Sequence, residues 1–209
     1  MFCGWHRGRR LQRTARTRTD FPRNNRMSQF IAFLRGLNVG GHVVKMDRLR
    51  GLFEELRFSD VETFIASGNV IFQTATRDVI ALEKRIEAHL KRALGYEVAT
   101  CIRTPPELAQ IAAEDPFAKT LRGGTKVAIY VVFLREKPSS AVREKILSFQ
   151  TKLDEIVLRE REFYWLCRGQ TTESKVFGPG FLKAIGMPMT TRNITTVRKL
   201  AALYATATA

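Results

Sequence analysis

Apolar residues change their spacing several times along this chain of 209 residues. Residues 29–34, QFIAFL, are almost continuously apolar, which predicts a buried strand. Met46, Leu49, Phe53 and Leu56 then recur at three- and four-residue intervals with charges between them, predicting an amphipathic helix over about 45–57. Two short β-rich runs follow at 61–65 and 69–72, with the tripeptide Ser67-Gly68-Asn69 at their junction. A short Gly/Asn connection between such runs reads as a hairpin. Val79, Leu82, Ile86, Leu90 and Ala93 trace a second helix, which Gly95 stops, and 97–102 is strand-like. The order strand, helix, strand, strand, helix, strand is that of the ferredoxin-like split βαβ unit.

The pattern then begins again. Thr104 is placed to cap a helix whose first turn holds Pro105 and Pro106, with Glu107 completing a capping box; that helix runs to about Glu114. Residues 126–134, KVAIYVVFL, form a strongly apolar strand. Val142, Ile146 and Phe149 mark a helix, and 155–158 and 162–167 two further strands. Gly178, Pro179 and Gly180 limit 179–185 to a short helix, and Val197, Leu200 and Leu203 build a last one. The predicted class is α+β: two ferredoxin-like (βαββαβ) subdomains in tandem, the second less regular. Residues 27–103 form the first, 104–125 a helical connector, and 126–206 the second. The halves share an element order but no sequence repeat.

This topology has a consequence for one stretch of sequence. A crossover helix makes the first two strands of the unit parallel, so their C-terminal ends lie on one edge. The first end opens into LRGLNVGG, residues 34–41; the second leads to Ser67, Gly68 and Asn69. Arg35, Asn38, Gly40, Gly41, Ser67, Gly68 and Asn69 are therefore expected to converge. The helix that follows points its N-terminus at the same edge, where free N–H groups favour an anion, and Arg35 and Lys45 add positive charge. A second polar cluster, Thr190 to Asn193, precedes the last helix. Asn193 or Thr191 can cap it, and Arg192 at that helix end calls for an anion or for an acidic partner in the other half. Each residue also has a purely structural reading. Glycine and asparagine serve turns with positive φ, and an arginine can pair with an acid.

Composition narrows the chemistry. The formal charge is +15. Residues 1–26 hold eight arginines against the single acid Asp20 and lack apolar periodicity, so a disordered basic tail is expected there. It has no apolar core for a secretory signal and no serine, as transit peptides would have. Either it is an arm for nucleic acid, or Met27, directly before the first strand, is the true start. No apolar run is long enough to cross a bilayer. Cys3, Cys101 and Cys167 are scattered and odd in number, which points to reduced thiols and a cytoplasmic protein. His6, His42 and His89 are equally scattered, so no metal is expected.

Known motifs are missing. The loop at 34–41 lacks the Lys-Ser/Thr close of a phosphate-binding loop, and its glycine spacing is not that of a dinucleotide fingerprint. In Gly123-Gly124-Thr125-Lys126 a strand rather than a helix follows. No Gly-x-Ser-x-Gly elbow appears, and catalytic residues are not identifiable. Phe163, Tyr164 and Trp165 could stack on bases, but alternation would bury Phe163 and Trp165 together.

Three segments carry a resemblance: FLRGLNVGGHVVKM, FIASGNVIFQ and TTRNITTVRKL. In their order and spacing they resemble the bacterial family catalogued as domain of unknown function 1697, over about residues 29–204. The resemblance implies an α+β fold related to a duplicated ferredoxin-like unit and no assigned activity. Ile194 and Thr195 stand where members usually have tryptophan and asparagine. The leading expectation is a cofactor-free binding module for a phosphate-bearing small molecule or RNA. Its site would comprise Arg35, Asn38, Gly40, Gly41, Lys45, Ser67, Gly68, Asn69 and Arg192. RNA-binding sheets of this kind expose aromatics, and Phe30, Phe33, Phe64 and Phe72 serve either that purpose or the core. The alternatives are an enzyme on a phosphorylated or nucleotide metabolite, or a protein-interaction domain; the oligomeric state is open.

Overall fold

The computed structural model describes residues 27–38, 40–120, 127–176 and 178–205. The first half is built from β1 (Ser28–Arg35), α1 (Met46–Glu55), β2 (Ser59–Phe64), β3 (Asn69–Thr74), α2 (Val79–Leu94) and β4 (Ala99–Arg103). Helix α3 (Pro105–Ala113) follows. The second half comprises β5 (Ala128–Leu134), α4 (Ser140–Leu147), β6 (Asp154–Leu158), β7 (Glu162–Cys167), α5 (Pro179–Ile185), β8 (Met189–Asn193) and α6 (Ile194–Tyr204). The fold is α+β, with two four-stranded antiparallel sheets ordered β2-β3-β1-β4 and β6-β7-β5-β8.

The sheets face one another. Ile31, Phe33, Ile71 and Cys101 of the first meet Val131, Phe133, Tyr164 and Leu166 of the second, with Leu108 and Ile111 of α3 and Val197 and Leu200 of α6 closing the layer. At its centre the Phe33 and Phe133 rings stack with centroids 4.1 Å apart. The alternate residues Phe30, Ala32 and Leu34 pack outward under α1 and α2, and Val132, Leu134, Phe163 and Trp165 under α4 and α5. A strand covered on both faces has no polar side to offer, which is why β1, β5 and β7 read as unbroken apolar runs. All of Phe163, Tyr164 and Trp165 are buried. Helix α3 thus belongs to the middle layer, packed on α6, rather than acting as a connector alone.

The two sheets repeat one pairing scheme. Phe33 lies opposite Asn69 on one side and Cys101 on the other; Phe133 lies opposite Glu162 and Thr190. Leu34 N donates to Gly68 O and Leu134 N to Arg161 O, each at 2.8 Å. The helix after each fourth strand is capped from the strand end. Thr104 forms the expected capping box with Glu107, and the Asn193 side chain accepts from Thr195 N. On this register Arg35 corresponds to Arg135, and Arg103 to Arg192.

One expectation is corrected. Residues 189–193 form the strand β8, not only a polar loop before a helix. Its buried positions include Thr190 and Arg192, so it lacks the apolar alternation by which a strand is recognised. Strands β2 and β3 form the expected hairpin, with Phe64 opposite Asn69 and residues 65–68 as its connection. A turn of 3-10 helix, Ile65–Ser67, precedes Gly68, which takes the left-handed conformation. Cys101 and Cys167 are free and buried. The basic tail at 1–26 and the Gly123–Lys126 segment lie outside the described residues, as does Val39.

Candidate functional site

Strands β1 and β2 run parallel on either side of β3, so Phe33 and Phe64 both lie opposite Asn69. Their C-terminal ends therefore emerge together, and the two polar loops meet. Asn38 ties them: its Nδ2 donates to Ala66 O at 3.3 Å, and its Oδ1 accepts from Val44 N at 2.9 Å. A Cβ at Gly68 would sit 3.1 Å from Leu34 Cβ at φ +72°, so only glycine fits this approach without strain. Just before it, Ile65 has φ 49° and is 52 % exposed. A β-branched residue in that region is strained.

Arg192 comes to this place from the other half of the chain. Its guanidinium is buried and every N–H is used. Nε donates to Asn69 Oδ1 at 2.6 Å. Nη1 donates to Thr190 Oγ1 at 2.9 Å and Thr191 O at 2.8 Å. Nη2 donates to Leu34 O at 2.8 Å and Gly68 O at 3.1 Å. The salt bridge anticipated for Arg192 is not there: among the described residues it pairs with no carboxylate. Its partners in the first half are two backbone carbonyls and an amide. Burial of an uncompensated cation pushes its pKa down to about 10. The Phe33 ring lies beneath it, 5.7 Å from centroid to guanidinium carbon.

Above this arginine opens a cleft of about 500 Å3. Arg35, Gly36, Leu37, Asn38, Ala66 and Ser67 form its first-half wall, with Leu34 at the base. Val132, Val176, Phe181, Leu182, Met189, Thr190, Thr191 and Arg192 form the rest. Four of the expected site residues thus share one cavity: Arg35, Asn38, Ser67 and Arg192. Arg35 is exposed and, among the described residues, its side chain has no hydrogen bond or ion pair. Ser67 is exposed, and its hydroxyl accepts from Asn69 Nδ2 at 2.8 Å. Asn69 is fully buried, its amide shared between Arg192, Ser67 and Phe64 O. With Gly68 it supports the floor rather than facing the opening. Gly40, Gly41 and Lys45 are exposed but are not walls of the cleft. The apolar wall was missed because Phe181, Leu182 and Met189 are remote in sequence and look like ordinary core positions.

The corresponding place on the other half is occupied from within. Arg103 donates to Ile102 O at 2.9 Å, to Leu134 O at 3.0 Å and also to Arg161 O, mirroring Arg192. It has an acid, Glu162, at 3.4 Å, where Arg192 has Asn69. Burial lowers the Arg103 pKa and raises that of Glu162. Beside them two carboxylates of α2 close the outer edge of β4: Glu83 Oε1 accepts from Ile102 N and Glu87 Oε1 from Thr100 N, each at 2.8 Å. Arg135 pairs with Glu87 and lies 3.5 Å from Glu83 Oε2. Glu83 is wholly buried and its Oε2 has no hydrogen bond. Burial raises its pKa to about 7 against the partial relief given by the Ile102 N–H and Arg135. Among the described residues no group of three His, Cys, Asp or Glu side chains could hold a metal, and no helix is long and apolar enough to cross a membrane.

The architecture and cleft define an α+β protein with a cationic pocket between two antiparallel sheets. Residues 27–164 match the model of the family described as Protein of unknown function (DUF1697), and the chain belongs to that family. Its structure is similar to that of the conserved bacterial protein SP0830 from Streptococcus pneumoniae, with a TM-score of 0.68 at 18 % identity. The likeness covers 86 % of this chain and 99 % of the other. No curated protein sequence matches the chain.

Proposed function

We propose that the protein is a binding module for a small molecule that joins an anionic group to an apolar body. The phosphate-bearing class expected from the loop sequence falls within that description. One observation carries the reading: the cleft holds Arg35 and Arg192 and, among the described residues, no carboxylate in its lining. A cavity of this volume takes a small ligand. The buried charge of Arg192 has no counter-ion among the described residues, so an anion entering the cleft gains from a field that burial keeps poorly screened. The walls of Val132, Val176, Phe181, Leu182 and Met189 suit an apolar body. Among the described residues no His, Asp, Glu or Cys lines the cleft, so the enzyme reading gains nothing there. Phe30, Phe33 and Phe72 are buried and Phe64 packs against the middle layer. The sheet faces therefore offer RNA no stacking platform, and the small-molecule reading is preferred.

The same reading takes residues 27–103 and 126–206 as ferredoxin-like subdomains that create the cleft by facing each other. The repeated strand order and register support this. It also places the protein in the cytoplasm, in keeping with the free thiols of Cys101 and Cys167. A calorimetric and thermal-shift screen with aryl and alkyl carboxylates and phosphates tests the anion cleft. A stabilising hit that Arg35→Ala weakens is the expected result. Absence of any hit across both anion classes refutes the reading.

A further inference from the structure

The two halves treat equivalent strand edges differently. In an antiparallel pair the N–H groups of alternate residues point away from the neighbour. Thr100 N and Ile102 N point away from β1 and are met by the carboxylates of Glu87 and Glu83. In the second half Arg135 N donates to Pro188 O at 3.2 Å. That bond makes Phe133–Thr190 and Val131–Arg192 the hydrogen-bonded pairs of β5 and β8. The N–H groups of Met189 and Thr191 therefore point outward, and both residues line the cleft. Register equates Met189 with Thr100 and Thr191 with Ile102. Among the described residues nothing accepts a hydrogen bond from Met189 N or Thr191 N.

The reason lies in the helices. Helix α2, between β3 and β4, spans Val79–Leu94 and brings Glu83 and Glu87 to the β4 edge. Its counterpart α5, between β7 and β8, is the short Pro179–Ile185 and contains no acid. Phe181 and Leu182 stand beside the β8 edge instead. The cation that grips the carboxylates in the closed half is Arg135, at the end of β5. Its counterpart at the end of β1 is Arg35, which lines the cleft without a partner.

We infer that the cleft binds a carboxylate-bearing small molecule, whose carboxylate accepts from Met189 N and pairs with Arg35. It would stand where Glu87, which accepts from Thr100 N and pairs with Arg135, stands in the other half. The inference rests on the anion-cleft reading and narrows it. A carboxylate suits one outward N–H group and a guanidinium, because each of its two oxygens accepts more than one hydrogen bond, while Thr191 N, roughly 6–7 Å further along the strand, stays open to a second acceptor. Arg192 adds its charge from the floor with all its own donors already spent. The remainder of the ligand would lie along Phe181, Leu182 and Val176, so aryl or branched-chain acids fit better than short polar ones.

Amide NMR of the full chain tests this, with phenylacetate and phenyl phosphate as probes. Saturable movement of the Met189 amide resonance with phenylacetate is expected. Arg35→Ala should weaken it about tenfold, as loss of a charge-assisted contact does. Leu182→Glu places an acid on α5 as α2 has on its own helix, and should abolish phenylacetate binding while leaving the amide spectrum of the core intact. If phenyl phosphate moves this amide and phenylacetate does not, the carboxylate assignment is overturned while the anion cleft stands. If neither probe does, both fall.

Discussion

Glu83 makes the stability of this protein depend on pH in a direction opposite to that of an ordinary carboxylate. Its carboxyl is wholly buried, and the nearest cation, Arg135, is shared with Glu87. Its pKa of about 7 in the folded protein compares with 4.5 for the free side chain. Between these values the folded state holds a proton that the unfolded chain has released. Folding is therefore progressively disfavoured as pH rises from about 4.5 to about 7, and levels off above. At 1.36 kcal/mol for each unit of pKa, the loss is about 3 kcal/mol. Glu83→Gln keeps the acceptor for Ile102 N and cannot ionise, so it fixes the protonated form. Urea unfolding of both proteins at pH 5 and pH 8 measures the effect as a difference, which removes the contributions of Glu162, Glu107 and other groups that titrate in both. Relative to wild type, the variant should gain about 2.5 kcal/mol on going from pH 5 to pH 8, worth roughly 5–10 °C in Tm. Parallel pH profiles for the two proteins would refute the argument and would mean that Arg135 fully compensates Glu83.

Arg192→Met removes five donated hydrogen bonds and leaves the carbonyls of Leu34 and Gly68 facing an apolar side chain. A loss of about 3–5 kcal/mol in urea unfolding is expected, with Arg192→Lys recovering only part, since one ammonium cannot span that set. Gly68→Ala combines positive φ with a 3.1 Å approach to Leu34 and should cost roughly 1–3 kcal/mol, read as a lower Tm. Thr104→Ala breaks the capping box of α3 and should cost about 1 kcal/mol by the same measurement.

What could be read from sequence was whatever repeats along one element. Helix α2 announced itself by its periodic apolar stripe and Gly95, which ends it in the left-handed conformation. Strand β7 and helix α5 fell where their apolar run and their Gly-Pro start put them. The convergence of residues 35–38 with 66–69 was legible because a crossover helix dictates the strand direction. Strand β8 was not legible, because two of its inward positions are Thr190 and Arg192, polar residues whose partners include Leu34 O, Gly68 O and Asn69 of the other half. The partners of Arg192 could not be foreseen either. An arginine before a helix promises a counter-charge, yet carbonyls 124 and 158 residues away supply its bonds. The apolar wall of the cleft depends on α5 being shorter than α2, and that contrast has meaning only once the registers of the two sheets are laid side by side.

The reciprocal reach of the two arginines bears on how the chain comes into being. Gly68 O and Leu34 O receive their donors from a side chain near the C-terminus, so a nascent chain holding only the first six elements cannot complete that contact. Its inner sheet face, with Phe33, Ile31 and Cys101, would meet solvent until β5 to β8 had been synthesised. Assembly of the two halves must therefore wait until β5 to β8 have emerged, and a ribosome stalled after β4 would display a sticky, half-finished surface of the kind that chaperones recognise.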